Sequence, residues 1–284
     1  MTAPGRGLEI ISSPANPRVR AALALRDRGG RAASGRLLVD GRREILRAIE
    51  TGLTVREAFV ATAADDPDTA AVVARLAAMG VPLVGVAGRA WTRLAYGERG
   101  SEIVAVVDAP STDLAHVEAI LAARRNPLLI VVEDAEKPGN LGAIARSADG
   151  AGAAALLVAV GDSPAADPWN PNAIRASLGT VLGLPLAIAP TRTLLEWLRG
   201  HEIRIVAARV QAARDYREVD LRGPVAIVLG SEAGGLGPEW LADDVEGVRL
   251  PMLGRADSLN VAAAAAVLLY EARRQRDREG STSP

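Results

Sequence analysis

Short uninterrupted apolar runs take turns along this chain with stretches in which apolar residues recur every three or four positions, so strands and helices alternate. In the first part, RLLVDG (36–41), VREAFVA (55–61), VPLVGVA (81–87) and EIVAVVD (102–108) read as strands. GRREILRAIETG (41–52) and DTAAVVARLAAMG (68–80) read as helices closed by Gly52 and Gly80. These elements predict a small mixed sheet with helices packed on it. In the second half, the runs at 127–134, 153–161, 184–189, 202–210, 224–230 and 247–253 read as strands. Helices are predicted at 140–152, 172–183, 191–200 and from Ser258 onward. Continuous β-branched and leucine runs between helices predict a parallel sheet covered on both faces. The expected organisation is a first domain at 1–110, a linker with a helical piece at 111–126, and a second domain at 127–284. The proline-rich stretch 162–171 reads as a loop, and the tails 1–8 and 279–284 as disordered.

Composition narrows the chemistry. Of 284 residues, 49% are hydrophobic and 24% charged, enough apolar material for a large core. No run approaches 18 apolar residues and the N-terminal residues lack a secretory pattern, so a cytosolic protein without membrane contact is expected. The chain has no cysteine, which excludes disulfides, iron–sulfur clusters, thiolate zinc sites and cysteine nucleophiles. His116 and His201 are the only imidazoles, and no metal site is expected. The net charge of −1 hides an asymmetry: residues 1–50 carry 10 arginines against 5 acids, and the remainder is acidic. A basic N-terminal segment is the footprint of phosphate contact, although a solvated basic face has the same pattern.

Dinucleotide and P-loop readings fail on context. Gly150-x-Gly152 precedes a strand instead of following one, the glycines of GSEAGGLG are wrongly spaced, and Lys137 lacks the preceding P-loop glycine. Three polar segments instead follow apolar strands: EKPGNLGAIARSA (136–148), VLGSEAGGL (228–236) and LPMLGRADSLNVAAAA (250–265). Ligands on open parallel sheets bind just beyond strand C-termini, so all three could line one crevice.

These segments resemble the SpoU/TrmH family of RNA ribose 2′-O-methyltransferases, in the SPOUT superfamily. The three signature motifs correspond to Asn140-Leu-Gly-Ala-Ile-Ala-Arg146, Gly230-Ser-Glu232-x-x-Gly-Leu, and Ser258-Leu-Asn260 preceded by Leu-Pro-Met. The resemblance is strong over about residues 125–276. It is looser in the N-terminal half, which is similar to the family's ribosomal-protein-like substrate-binding domain. It implies a trefoil-knotted parallel-sheet methyltransferase domain, S-adenosyl-L-methionine as cofactor, RNA as partner and a homodimer. Ribosomal RNA, 23S rRNA first, is favoured as substrate; the resemblance extends to members that protect antibiotic producers from ribosome-directed drugs by methylating a uridine. A transfer-RNA methyltransferase and a non-catalytic RNA-binding protein of the same fold are the alternatives.

Each candidate residue has two readings. Methyl transfer to a ribose hydroxyl requires alignment of the oxygen and loss of its proton. Asn140 is a candidate catalytic residue, or the cap of its helix. Arg146 matches the arginine to which the family assigns activation of the 2′-hydroxyl, or is a surface arginine. A guanidinium with a pKa of about 12 or more suits phosphate binding or alkoxide stabilisation better than the part of a base. Glu232 could orient Asn140 or Arg146, or be solvated. Ser258 reads as the cap of the final helix and, with Asn260, as part of the site. Ala208, Val210, Leu229, Gly230, Leu250, Met252, Ser258 and Leu259 are the candidate cofactor contacts. Arg18, Arg20, Arg28, Arg31 and Arg175 are the candidate RNA contacts, Arg175 alternatively meeting the cofactor carboxylate. Ala262–Ala266 reads as close helix packing, at a dimer interface among other places. Trp169, Trp197 and Trp240 read chiefly as core, so recognition would rest on arginine–phosphate contacts and shape.

Overall fold

Asparagine or aspartate followed by proline opens three helices, because the side chain accepts a backbone N–H of the first turn and proline has none to waste. Asn16 accepts from Arg18 N at 2.9 Å, Asp66 from Asp68 N at 3.0 Å and Asn170 from Asn172 N at 2.9 Å. The computed structural model describes residues 7–95, 101–161, 167–232 and 234–280, with the side chains of 279 and 280 left out. The stretches 1–6, 162–166 and 281–284, expected as tails and loop, lie outside the described residues, as does Ala233 of the glycine-rich segment.

The elements in chain order are β1 (Ile10–Ile11), α1 (Pro17–Ala24), α2 (Arg28–Ser34), β2 (Arg36–Asp40), α3 (Arg42–Glu50), β3 (Val55–Ala61), α4 (Pro67–Ala78), β4 (Leu83–Val86), α5 (Gly88–Leu94) and β5 (Ile103–Asp108). They continue with α6 (Leu114–Leu121), β6 (Leu128–Glu133), α7 (Pro138–Ala151), β7 (Ala155–Val160), α8 (Pro171–Ala176), β8 (Leu186–Pro190), α9 (Thr191–Gly200), β9 (Arg204–Ala208), β10 (Arg214–Asp215), β11 (Val225–Leu229), β12 (Val245–Arg249) and α10 (Val261–Gly280).

The chain divides into two compact units. One comprises residues 1–110 and 167–183; the other comprises 111–166 and 184–284. The first holds a mixed sheet in the order β1-β4-β3-β5-β2, with β1, β4 and β3 parallel and β5 antiparallel to both neighbours. The second holds a parallel sheet in the order β10-β12-β9-β11-β6-β7-β8. Every residue of β6 and β11 is buried, as expected of central parallel strands covered on both faces. Each large aliphatic side chain so buried contributes about 2 kcal/mol relative to exposure.

Two expectations about organisation change. Residues 111–126 carry α6, which packs on β8 within the second unit, so they are not merely a linker. Residues 167–183 belong with the first unit, held there by Arg31. This side chain is 5% exposed and donates through Nε to Asp167 Oδ2 at 3.1 Å and through Nη1 to the Leu25 and Arg26 carbonyls. Its Nη2 also donates to Asp167.

The helix expected over 172–183 is broken. After α8, the buried Ser177 hydroxyl donates to Ile174 O at 2.7 Å and accepts from Gly179 N at 3.1 Å, competing with the helical ladder. Leu178 and Gly179 take positive φ (55° and 81°) before a 3-10 turn at Thr180–Leu182. A Cβ on Gly179 would lie 3.0 Å from Glu44 Cα, so the glycine lets this segment press on α3.

Candidate active site

Three connections at the carboxyl ends of strands of the parallel sheet build the site. The first runs from β6 into α7, whose opening proline is Pro138 and whose N-cap is Lys137. Asn140 is therefore the third helical residue and not the cap, leaving its side chain free to leave the helix. The second follows β11. A Cβ on Gly230 would fall 2.1 Å from Gly235 O, so glycine is obligatory where the loop folds back. Ser231 and Gly235 exchange backbone hydrogen bonds of 3.0 and 3.2 Å, which projects Glu232 outward. The third runs from β12 into α10. Asn260, not Ser258, caps that helix: its Oδ1 accepts from Ala262 N at 3.0 Å and its carbonyl from Ala264 N at 2.9 Å. The expected start at Ser258 is thus corrected to Val261. Serine and asparagine are equally good caps, and only the backbone path separates them.

One side chain from each connection meets the others. Asn140 Nδ2 donates to Glu232 Oε1 at 2.9 Å, and Asn260 Nδ2 donates to the same oxygen at 2.7 Å. Asn260 Nδ2 also lies 3.3 Å from Asn140 Oδ1. Lys137 Nζ donates to the other carboxylate oxygen, Oε2. The Lys137 ammonium, followed by the Asn140 amide, holds Glu232 below the usual carboxylate range, and Glu232 in turn raises Lys137. The result is an ionised carboxylate that fixes two carboxamides while its charge is partly offset by a neighbouring cation.

Beyond β9, β11 and β12 lies a cleft of about 1030 Å³. It is lined by Ala208, Val210, Leu229, Gly230, Leu250, Met252, Ser258 and Leu259, the eight positions singled out in the sequence, and by Glu232 and Asn260 at the cluster. Apolar walls with a few polar groups suit a flat heterocycle joined to a charged tail. The carboxylates of Asp257 and Glu232 are of the sign that favours a cation there, and Arg209 and Arg249 of the sign that favours a carboxylate. Asp257, Arg209 and Arg249 were not singled out from sequence, and in a chain with 32 arginines nothing in the pattern distinguishes these two; Lys137, the one lysine, was considered only as a P-loop residue.

Other candidates fall elsewhere. Arg146 is exposed on α7, six residues from Asn140 and about 9 Å further along the helix axis, and does not line the cleft. It has no hydrogen bond or ion pair to another described residue. Arg31 is corrected from an RNA contact to a buried anchor, its donors being consumed inside the first unit. Arg18 donates to Glu57 at 2.6 Å and to Glu9 at 3.0 Å, whereas Arg20 and Arg28 are exposed. Arg175 belongs to the first unit, 3.4 Å from Asp40, and is not among the cleft-lining residues. Ala264 and Ala265 are buried where α10 packs against α7, and Trp240 is fully buried.

Fold and cleft together define a class: a two-unit α/β enzyme with a nucleotide-sized cleft at the carboxyl edge of a parallel sheet. The chain belongs to the SpoU rRNA Methylase family, which matches residues 127–270; residues 16–105 match the MRM3-like substrate binding domain. It is 33% identical over 261 residues to the 23S rRNA (uridine(2479)-2′-O)-methyltransferase of Streptomyces viridochromogenes, covering 89% of this chain and 87% of that one. It is 37% identical over 171 residues to a tRNA (guanosine(18)-2′-O)-methyltransferase of Thermus thermophilus, covering 58% of this chain and 83% of the relative. Among solved structures, the SpoU methyltransferase AviRb from Streptomyces viridochromogenes in complex with AdoMet superposes with a TM-score of 0.79 at 32% identity, over 92% of this chain and 98% of that one.

Proposed function

We propose that this chain methylates a ribose 2′-hydroxyl of RNA with S-adenosyl-L-methionine, acting on 23S ribosomal RNA and there on a uridine. The observation that carries the reading is the convergence of Asn140, Glu232 and Asn260, one from each motif, at the rim of the cleft. The rRNA-modifying relative aligns with 89% of the chain and the tRNA-modifying one with 58%, which favours ribosomal RNA.

The residues present fit the cofactor. Leu229, Leu250, Met252 and Leu259 would hold the adenine, while Ser258, Asp257 and Asn260 would face the methionine end. The cofactor supplies an electrophilic methyl group on a sulfonium. Glu232 orients the two carboxamides through Oε1, and Lys137 keeps it ionised, which makes it a weak proton acceptor suited to holding geometry. Arg146 stands exposed and available to an RNA phosphate or to the alkoxide that forms as the hydroxyl loses its proton.

The first unit would select the target, with Arg20 and Arg28 as exposed contacts. Ala263, Val267 and Tyr270 form an exposed stripe on α10, at helical spacing, that a second copy would cover in a homodimer. No described helix is long and apolar enough to cross a membrane, and an enzyme of ribosomal RNA would act in the cytoplasm. The knotted path implied by the resemblance belongs to the same reading.

The test gives the purified protein labelled S-adenosyl-L-methionine and separate pools of unmodified ribosomal and transfer RNA, followed by digestion to nucleosides. We expect label in 2′-O-methyluridine from 23S rRNA. Label confined to the tRNA pool would overturn the substrate, and label in neither pool would overturn the activity.

A further inference from the structure

At the carboxyl end of β6, Glu133 is 3% exposed and surrounded by neutral donors. Thr191 Oγ1 donates to Oε1 at 2.6 Å and Trp240 Nε1 donates to the same oxygen at 2.8 Å; Gly237 N donates to Oε2 at 2.6 Å. Both carboxyl oxygens are thus satisfied by short hydrogen bonds, the condition under which a buried polar group is not costly.

The donors come from three places, two of them in the loop and turn that line the cleft. Thr191 opens α9, Gly237 ends the loop that begins at Gly230, and Trp240 lies in the 3-10 turn Pro238–Leu241. Gly235, Leu236 and Leu241, from the same loop and turn, line the cleft. The Trp240 carbonyl accepts from Arg209 Nη2, and Arg209 lines the facing wall beyond β9. One carboxylate therefore holds the far end of the loop whose near end carries Glu232, and through Trp240 it reaches the opposite wall. Glu133 itself does not line the cleft.

We propose that Glu133 is a positioning residue for methyl transfer: it sets the shape of the cofactor cleft through the 230–241 segment without touching cofactor or RNA. The proposal rests on the cleft being the S-adenosyl-L-methionine site.

The test is calorimetric titration of the full chain with S-adenosyl-L-methionine alone, in a double-mutant cycle of Glu133→Gln and Trp240→Phe. Glu133→Gln replaces one acceptor oxygen by an amide N–H that faces either the Gly237 N–H or the indole N–H, neither of which can accept, and should weaken binding about tenfold. Trp240→Phe removes that indole donor, so it should cost clearly less affinity in the Glu133→Gln background than in the parent. The volume lost is the same in both backgrounds and cancels. At saturating cofactor, kcat of Glu133→Gln should fall less than affinity does. Binding by Glu133→Gln within twofold of the parent, or additive effects in the cycle, overturns the proposal. Should Glu133→Gln not fold, Thr191→Val and Trp240→Phe each strip one donor from the carboxylate, and unchanged affinity in both overturns it. Failure of the parent to bind brings down the cleft reading itself, an outcome distinct from a parent that binds and a variant that binds equally.

Discussion

Asn260 and Glu232, 28 residues apart in sequence, are joined by a 2.7 Å hydrogen bond that ties the start of α10 to the loop after β11. The same Glu232 oxygen accepts from Asn140, so one atom gathers all three motifs. Glu232→Gln would place an amide among the donors of Lys137, Asn140 and Asn260. We expect methyl transfer to fall about 100-fold, since misplacing a catalytic geometry by an ångström has that cost. Single-turnover methyl incorporation checks this.

Lys137 is the first cause of the low Glu232 pKa. A carboxylate held down on folding contributes stability above its unfolded pKa and loses it as pH falls through the folded value. The ionised cluster therefore persists below the ordinary carboxylate range. Lys137→Met should shift the acid limb of the kcat/KM profile to higher pH, while the alkaline limb stays in place.

Gly230 has backbone where a side chain would begin, with Gly235 O 2.1 Å and Leu236 N 2.5 Å from a built Cβ. Gly230→Ala should open the loop, destabilise the second unit by about 2 kcal/mol and abolish cofactor binding. Urea midpoints and calorimetry read the two effects separately.

Arg31→Met should destabilise the first unit by about 3 kcal/mol, because it leaves Asp167 without the cation that Arg31 supplies and two carbonyls without a donor. A lowered urea midpoint with unchanged affinity for short RNA would establish Arg31 as structural; a selective loss of RNA affinity at unchanged midpoint would return it to the surface contacts.

Glu44, 9% exposed on α3, is raised above the usual carboxylate range by burial. A raised carboxylate binds its proton more tightly folded than unfolded, so stability falls as pH rises through that window. Glu44→Gln should be more stable than the parent at pH 7.5 and lose that advantage at pH 4. Urea midpoints at both pH values test the sign.

Much of this fold was legible because local chemistry agreed with it. The apolar runs placed the cores of β2 through β9, and Gly52 and Gly80 ended their helices with φ of 78° and 74°. The Asp66-Pro67 and Asn170-Pro171 pairs set helix starts one residue ahead of the expected ones. The eight cleft positions followed from one rule about strand ends together with the family resemblance. What stayed hidden was long-range. Nothing near Arg31 announces Asp167, 136 residues away, and a charge pattern cannot tell a guanidinium that meets solvent from one that meets a carboxylate. Glu133 was read as the end of an apolar strand, since its donors arrive from residues 191, 237 and 240. The two-residue edge strand β10 is too short to leave a periodicity.

The first unit is completed by residues 167–183, which lie inside the segment matched to the methylase family. This unit is therefore not a detachable cassette. A chimera that exchanges residues 1–110 between relatives would pair a foreign Arg31 pocket with the resident Asp167, so a working graft must carry both pieces. During synthesis, too, this unit cannot close until residue 183 has been made, well after the first strands of the catalytic sheet. A change at either end of that clasp would therefore call for a compensating change at the other.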